Sequence, residues 1–335
     1  VTHRPGLDPA VAEVRRAVRA ALAGIAQGST VVVALSGGAD SLALAASVAF
    51  EAPKLDLAAV AVTIDHGLQE GSADAAAAAA AQARALGLSA RVVRVEVGAD
   101  GGPEAAARGA RYAALAVEAS ALGAAAVLTG HTLDDQAETV LLGLARGSGA
   151  GSLQGMSPVS TVGDGLLLLR PLLGVRRATT RAACAAAGLE PWSDPHNVDP
   201  RFARVRVRER VLPVLEAELG PGITEALART AEQAREDADA FAAMIDETIE
   251  DIVDHAEAGI SISVPALAAN PPALRHRIIR TVVAAEFGES LTRAQTLEVA
   301  RLVTEWSGQG PIDLPGCRAR RRGQRLEFTA RSGAR

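Results

Sequence analysis

Ser36-Gly37-Gly38-Ala39-Asp40-Ser41 follows directly on the β-branched run Thr30 to Leu35 and opens an alanine-rich helical segment. The backbone N–H groups of such a loop converge at a helix N-terminus, which makes a cradle for phosphate. Gly37 and Gly38 carry no Cβ to hold a polyphosphate away, and Ser36 and Ser41 add hydroxyl donors. Asp40 would repel the anion unless a divalent cation sits between carboxylate and phosphate, so it implies Mg²⁺. A plain strand-to-helix turn has no use for Asp40 and both serines together.

Two further polar clusters follow apolar runs. Asp65-His66-Gly67-Leu68 comes after the run ending at Ile64, and the stretch from Gly130 to Thr139 after the run ending at Thr129. In the latter, His131, Asp134, Asp135 and Glu138 stand at i, i+3, i+4 and i+7, one face of a helix, while Leu133, Ala137, Val140, Leu141 and Leu144 occupy the other. The spacing predicts a helix that packs on one side and presents carboxylates on the other. A fourth cluster, Glu104 to Tyr112, sets Arg108 and Arg111 one turn apart near a helix start, where either could clamp a carboxylate or a phosphate.

The elements that must position these clusters alternate strand and helix. Strands are expected at Thr30–Leu35, Leu57–Ile64, Arg91–Val97, Ala124–Thr129 and Leu166–Leu169. Helices are expected around 9–26, from Ser41, and over Ser72–Leu86, Pro103–Leu122 and Leu133–Ala145. That is the rhythm of a doubly wound α/β fold with a mostly parallel sheet. Ligands of such sheets bind beyond the carboxyl ends of the strands, where the three polar clusters would meet. After Pro213 the alternation stops. One long amphipathic helix over residues 222–257 and a terminal arginine-rich hairpin predict a second, mainly helical domain, with the division placed at 1–215 and 216–335.

Composition narrows the function classes. With 335 residues, 49% hydrophobic and 22% charged, the chain is a globular protein of about two domains. No run approaches the roughly 18 to 20 apolar residues that span a bilayer, so no membrane contact is expected and the chain reads as cytoplasmic. Two distant cysteines, Cys184 and Cys317, exclude a disulfide framework or a CxxC redox pair. Of 34 basic residues only Lys54 is a lysine, so no Walker-type lysine follows the glycine loop. The net charge of −5 argues against nucleic-acid binding, but it conceals local runs: Arg201, Arg204, Arg206, Arg208 and Arg210, then Arg318, Arg320, Arg321, Arg322 and Arg325.

The loop SGGADS resembles the pyrophosphate loop of the N-type ATP pyrophosphatases, which cleave ATP between the α and β phosphates and have no Walker lysine. Taken in order, DHGL, E-x-x-x-R-x-x-R-Y, H-x-x-DDQAET, the ARGSG at 145–149, LQGM at 153–156, RPLL at 170–173 and W-S-D-P-x-N at 192–197 resemble the tRNA(Ile)-lysidine synthetase family, in a short form. The resemblance is dense from residue 30 to about 213, and LPG at 314–316 is similar to the family's first C-terminal domain. It implies an adenine nucleotide α-hydrolase-like fold and a carbon–nitrogen ligase. Such an enzyme uses ATP and free L-lysine to convert the wobble cytidine of the CAU-anticodon tRNA(Ile) into lysidine. The resemblance assigns ATP binding to Ser36, Gly37, Gly38, Ala39, Asp40, Ser41, Asp65 and His66, with Asp40 holding Mg²⁺. Lysine falls to Arg111, Asp135 and Glu138, and catalysis to Asp40, His131 and Asp135. Arg201, Arg204, Arg206, Arg208, Arg320, Arg321 and Arg322 are the expected tRNA contacts, and a homodimer is left open. Gln69 stands where the family more often has a basic residue. The competing readings are a tRNA thiolation enzyme of the same superfamily, which would need catalytic cysteines, and a non-catalytic nucleotide-binding module.

Overall fold

The computed structural model describes residues 6–331 apart from 68–70, 97, 99–102, 148, 195–197 and 257–258. Leu68 and Gln69, and the last three residues of the W-S-D-P-x-N motif, lie outside the described residues. The chain packs as two compact units, residues 1–235 and 236–335.

In the first unit α1 (Pro9–Leu22) precedes β1 (Thr30–Ala34), α2 (Ala39–Glu51), β2 (Ala58–Asp65), α3 (Ser72–Ala85), β3 (Ser89–Arg94), α4 (Pro103–Ala121), β4 (Ala124–Leu128) and α5 (Leu133–Ala145). Then come β5 (Val159–Val162), β6 (Leu166–Leu169), α6 (Arg177–Ala186), α7 (Ala203–Arg206) and α8 (Leu212–Leu219). The six strands run in the order β3-β2-β1-β4-β6-β5, all neighbours parallel except the antiparallel β5–β6 pair. The sheet is wound on both faces because strand side chains alternate: Val31 and Val33 join the core formed with α1, α2 and α6, whereas Val32 joins Leu115 and Ala119 of α4 on the reverse. β1 is followed outward by β2 and β3, and the chain then crosses to the other side of β1 for β4. The crevice at this reversal opens at the carboxyl ends of β1 and β4, where the glycine loop and the Gly130-His131 turn emerge. β5 was not anticipated: its four residues include Ser160 and Thr161, and an edge strand needs no continuous apolar run.

The helix α9 (Ile223–Ile252) ends five residues short of the expected span, because β7 (Val253–Ala256) pairs antiparallel with β8 (Gly259–Ser263). Helices α10 (Val264–Ala269), α11 (Pro272–Phe287) and α12 (Arg293–Thr304) follow, then β9 (Ile312–Asp313), β10 (Cys317–Arg322) and β11 (Arg325–Ala330). A terminal hairpin is present as β10–β11, but Arg318, Arg320, Arg321 and Arg322, expected in its turn, form strand β10 itself, and the hairpin is part of a five-stranded sheet, β7-β8-β11-β10-β9. Ile260, Ile262, Leu326 and Phe328 of that sheet pack with Ile278, Ile279 and Val283 of α11. Among the described residues no helix is long and apolar enough to cross a membrane.

Candidate active site

The loop after β1 is tied down by its own serines. Ser41 Oγ donates to the Gly38 carbonyl at 2.9 Å and accepts from the Ser36 N–H at 3.1 Å, while the two serine Oγ atoms stand 3.1 Å apart. Gly37 adopts φ +80°, open to glycine, and its carbonyl accepts from Trp192 N at 2.9 Å. Gly38 caps α2 without any side-chain hydrogen bond, so the positive end of the helix dipole is left for an anion. Gly130 meets this turn from β4. A Cβ on it would lie 2.9 Å from the carbonyl carbon and oxygen of Asp40, so the two loops can approach only through glycine.

Asp40 sits in the first turn of α2 with a half-buried carboxylate that accepts from Thr180 Oγ1 and faces Arg177 Nε at 3.6 Å. Burial pushes its carboxyl above the ordinary value, and Thr180 and Arg177 offset this only in part. Asp65, at the end of β2, spends Oδ1 on Ser72 Oγ (2.7 Å) and Gly67 N (3.0 Å). The hydroxyl of Ser72 holds it below the carboxylate range, and it anchors the turn that carries His66.

Thr132 caps α5 reciprocally with Asp135: Asp135 Oδ2 accepts from Thr132 N and Oγ1, each at 2.8 Å. This fixes Asp135 so that Oδ1 accepts from Arg177 Nη2 at 2.6 Å. Burial opposes ionisation of Asp135, but Arg177 and the Thr132 N–H and hydroxyl outweigh it and hold the carboxyl low. Glu138 is fully buried and accepts from Arg208 Nε at 2.7 Å, Arg208 Nη2 at 3.0 Å and Arg177 Nη1 at 3.1 Å, with Arg204 Nε at 3.6 Å. Asp134 instead receives the Arg177 backbone N–H at 2.8 Å and so caps α6.

His131 Nδ1 lies 2.9 Å from Thr129 Oγ1. Burial, reinforced by Arg108, Arg111 and Arg170 against Asp135, pushes its pKa down to about 3, so the imidazole is neutral at pH 7. Arg111 has its basicity lowered by burial and by Arg108 and Arg204, and among the described residues it makes no ion pair. The two acids are neutralised by Arg177 and Arg208, and among the described residues Arg111 makes no ion pair with either.

The arginine run at 201–210 divides by exposure, with Arg201 in the turn before α7 and Arg204 to Arg208 on α7 and the π-helical turn that follows it. Val207–Val211 forms a π-helical turn, a feature common beside functional sites. Arg204 and Arg208, half-buried, reach Glu138; Arg201 and Arg206 are exposed, Arg201 pairing with Asp199 and Arg206 donating to the Pro200 and Arg201 carbonyls. Sequence reasoning missed Arg176, Arg177 and Thr180. The available signal was two adjacent arginines just after RPLL at the start of a helix.

A cavity of about 300 Å³ opens beside Glu138, lined among others by Asp134, Arg176, Arg177, Arg208 and Glu225. Both signs of charge line it. Glu216, also on its wall, is committed to structure: its carboxylate accepts from Gly222 N (2.7 Å), Thr224 N (3.0 Å) and Thr224 Oγ1 (2.9 Å) at the start of α9.

Residues 11–215 match the model of the PP-loop domain, and residues 262–327 match that of the TilS substrate binding domain. The chain is 60% identical over 306 residues to a tRNA(Ile)-lysidine synthase of Leifsonia xyli, covering 91% of each chain. It is 53% identical to one of Thermobifida fusca, covering 95% of this chain and 96% of that one. Among solved structures, the U34-tRNA thiolase NcsA from Methanococcus maripaludis with its [4Fe-4S] cluster superposes with a TM-score of 0.58 at 20% identity, over 68% of this chain and 80% of that one. That likeness concerns the fold.

Proposed function

Because the chain belongs to the tRNA(Ile)-lysidine synthase family, we propose that it joins free L-lysine to C2 of the wobble cytidine, position 34, of the CAU-anticodon tRNA(Ile) in the cytoplasm. ATP is consumed through an adenylated RNA intermediate, and the enzyme is a carbon–nitrogen ligase. The observation that carries this reading is Arg177, whose guanidinium spans Asp40 at the phosphate loop and Asp135 and Glu138 on α5. Nucleotide cradle and amine-binding acids thereby share one crevice.

In the first step the cytidine C2 oxygen attacks the α-phosphorus and pyrophosphate leaves. Ser36, Gly37, Gly38, Ala39 and Ser41 cradle the polyphosphate with the open N–H groups of α2, and Asp65 orders the turn that brings His66 to the nucleotide. A magnesium ion held jointly with phosphate would rest on Asp40, whose carboxylate also accepts from Thr180 Oγ1 and faces Arg177 Nε at 3.6 Å; among the described residues no three His, Cys, Asp or Glu side chains are grouped to hold a metal, and Mg²⁺ commonly takes one or two carboxylates plus substrate oxygens. Bound there, the ion would neutralise charge on the departing pyrophosphate. Neutral His131 adds no charge and offers a hydrogen-bonding edge to the cytosine or the phosphoryl oxygen.

In the second step the lysine ε-amine attacks C2, the bond from C2 to the AMP oxygen breaks, and the amine loses a proton. Asp135 and Glu138 suit the ammonium groups, which compete with the guanidinium donors of Arg177 and Arg208; Arg111, without an anionic partner, suits the carboxylate. We assign catalysis to residues 1–215 and tRNA engagement to 216–335, a division that falls before the boundary of the two compact units at 235; of the arginine run, Arg201, Arg206 and Arg210 are exposed, with Arg201 held by Asp199 and Arg206 by the Pro200 and Arg201 carbonyls. Sulfur transfer finds no support, since Cys184 and Cys317 are buried and burial pushes both thiols up to about 11. Incubation of the protein with ATP, labelled lysine and total bacterial tRNA tests the reading. Label in RNA supports it, and AMP release without label refutes it.

A further inference from the structure

The hairpin arginines that the sequence offers to RNA are already engaged. Arg320 and Arg322 pair with Glu327 at 2.8 and 3.6 Å, Arg318 pairs with Asp313 at 2.7 Å, and Arg325 pairs with Asp254. Arg321 donates to the carbonyls of Gly323, Leu302 and Val303, closing the last turn of α12. A cation already held by a carboxylate or a helix end releases little by meeting a phosphate.

A different set in the same unit has no such partners. Arg277 and Arg280 stand one turn apart on α11, with His276 beside them, and Arg293 is the first residue of α12. Among the described residues Arg280 and Arg293 make no side-chain hydrogen bond or ion pair, and the contact of Arg277 is the ring of Phe241, 4.0 Å from its guanidinium carbon. Arg280 is half-buried, and besides burial the groups acting on it are Arg277 and Arg293, which lower its basicity. His276 is lowered by burial and by Arg275, Arg280 and Arg293, with no acid opposing them. Arg275 itself is spent on the Leu267, Ala268 and Asn270 carbonyls. Arg293 also lies at the positive end of the α12 dipole, where an acidic side chain is the favoured choice. Such a cluster of like charges works against folding in a chain of net charge −5 unless it serves an anion.

Resting on the tRNA reading above, we propose that the second unit grips the RNA phosphate backbone through Arg277, Arg280 and Arg293 on α11 and the start of α12, and not through the hairpin. Arg277, placed over the Phe241 ring, keeps N–H donors for a phosphate oxygen, and Arg280 and Arg293 supply two more cations around it.

The test uses the full chain and unfractionated tRNA, with affinity measured across a salt series for wild type, R280Q/R293Q and R320Q/R322Q. For R280Q/R293Q we expect affinity to fall about tenfold at low salt and the slope of log K against log salt to become shallower by about 1 to 2, as loss of two phosphate contacts requires. The loss also appears as a raised KM for tRNA. R320Q/R322Q keeps the wild-type slope. The melting temperature of R280Q/R293Q should hold or rise, because its mutations remove only like-charge neighbours; this separates lost binding from lost folding. Unchanged affinity and slope in R280Q/R293Q, or an equal loss in R320Q/R322Q, overturns the assignment. A wild type that binds tRNA with an Arg280-dependent slope but incorporates no lysine would refute the ligase reading and leave this face standing.

Discussion

Arg177 Nη2 donates to Asp135 Oδ1 at 2.6 Å, and the rest of the same guanidinium reaches Glu138 Oε1 at 3.1 Å and faces Asp40 Oδ2 at 3.6 Å. One cation thus holds three carboxylates from two strand ends in register. Burial works against the charge on Arg177, but the three acids more than restore it.

Arg177→Gln should therefore destabilise the fold by about 3 kcal/mol, the usual scale for breaking a buried ion pair from one side. Urea unfolding checks this through a lowered midpoint at unchanged slope. A loss under about 1 kcal/mol would mean that Arg208 alone neutralises the site.

Asp40→Ala should reduce tRNA-dependent AMP formation by about 100-fold or more, the scale of losing a group that compensates transition-state charge. Retention of more than half the wild-type rate, in a protein that still melts normally, would remove Asp40 from the chemistry.

Glu138→Gln keeps the length of the side chain and removes the charge. Lysine incorporation should fall at least about tenfold while AMP formation persists, because the amine loses its anionic partner while Asp135 still holds Arg177 beside Asp40. Both products are read from one incubation. Equal loss of the two, with normal tRNA affinity, would assign Glu138 to the ATP half of the reaction.

Gly130→Ala places a methyl group 2.9 Å from the Asp40 backbone, so the loops after β1 and β4 must separate. Overpacking of this kind costs about 1 to 3 kcal/mol. Here it should also raise the KM for ATP more than the KM for lysine, and a variant with wild-type stability and ATP affinity would contradict the close approach.

Hydrogen bonds from the Thr224 N–H and hydroxyl, and from Gly222 and Ile223, hold Glu216 at about 2 in place of 4.5. A depressed folded-state pKa gives stability that is present above the unfolded value and is lost as pH falls from 4.5 toward 2. Glu216→Gln should melt lower than wild type at pH 7, with the difference shrinking through that window. A constant difference from pH 7 to pH 3 would refute the linkage.

Local sequence determined what local geometry governs. Glycine and serine spacing after β1 fixes the phosphate loop, and helical spacing places Asp134, Asp135 and Glu138 together on α5, since both depend only on backbone periodicity; His131, however, precedes the Thr132 N-cap, and the acidic face is the buried one, with Asp135 and Glu138 buried and Leu144 exposed. Partners were another matter. The cations on Glu138 come from 39 and 70 residues further along the chain, and no periodicity in α5 specifies them. The arginine run at 201–210 read as one basic patch, yet Arg204 and Arg208, four residues apart, turn to Glu138, while Arg201, Arg206 and Arg210 are exposed, Arg201 pairing with Asp199. β7 was hidden in a helical pattern for the same reason: Val253 pairs with Ile262, whose strand in turn needs β11 more than 60 residues later. Ion pairing and strand pairing are decided by which distant segments the core brings together, and only the tertiary structure supplies that.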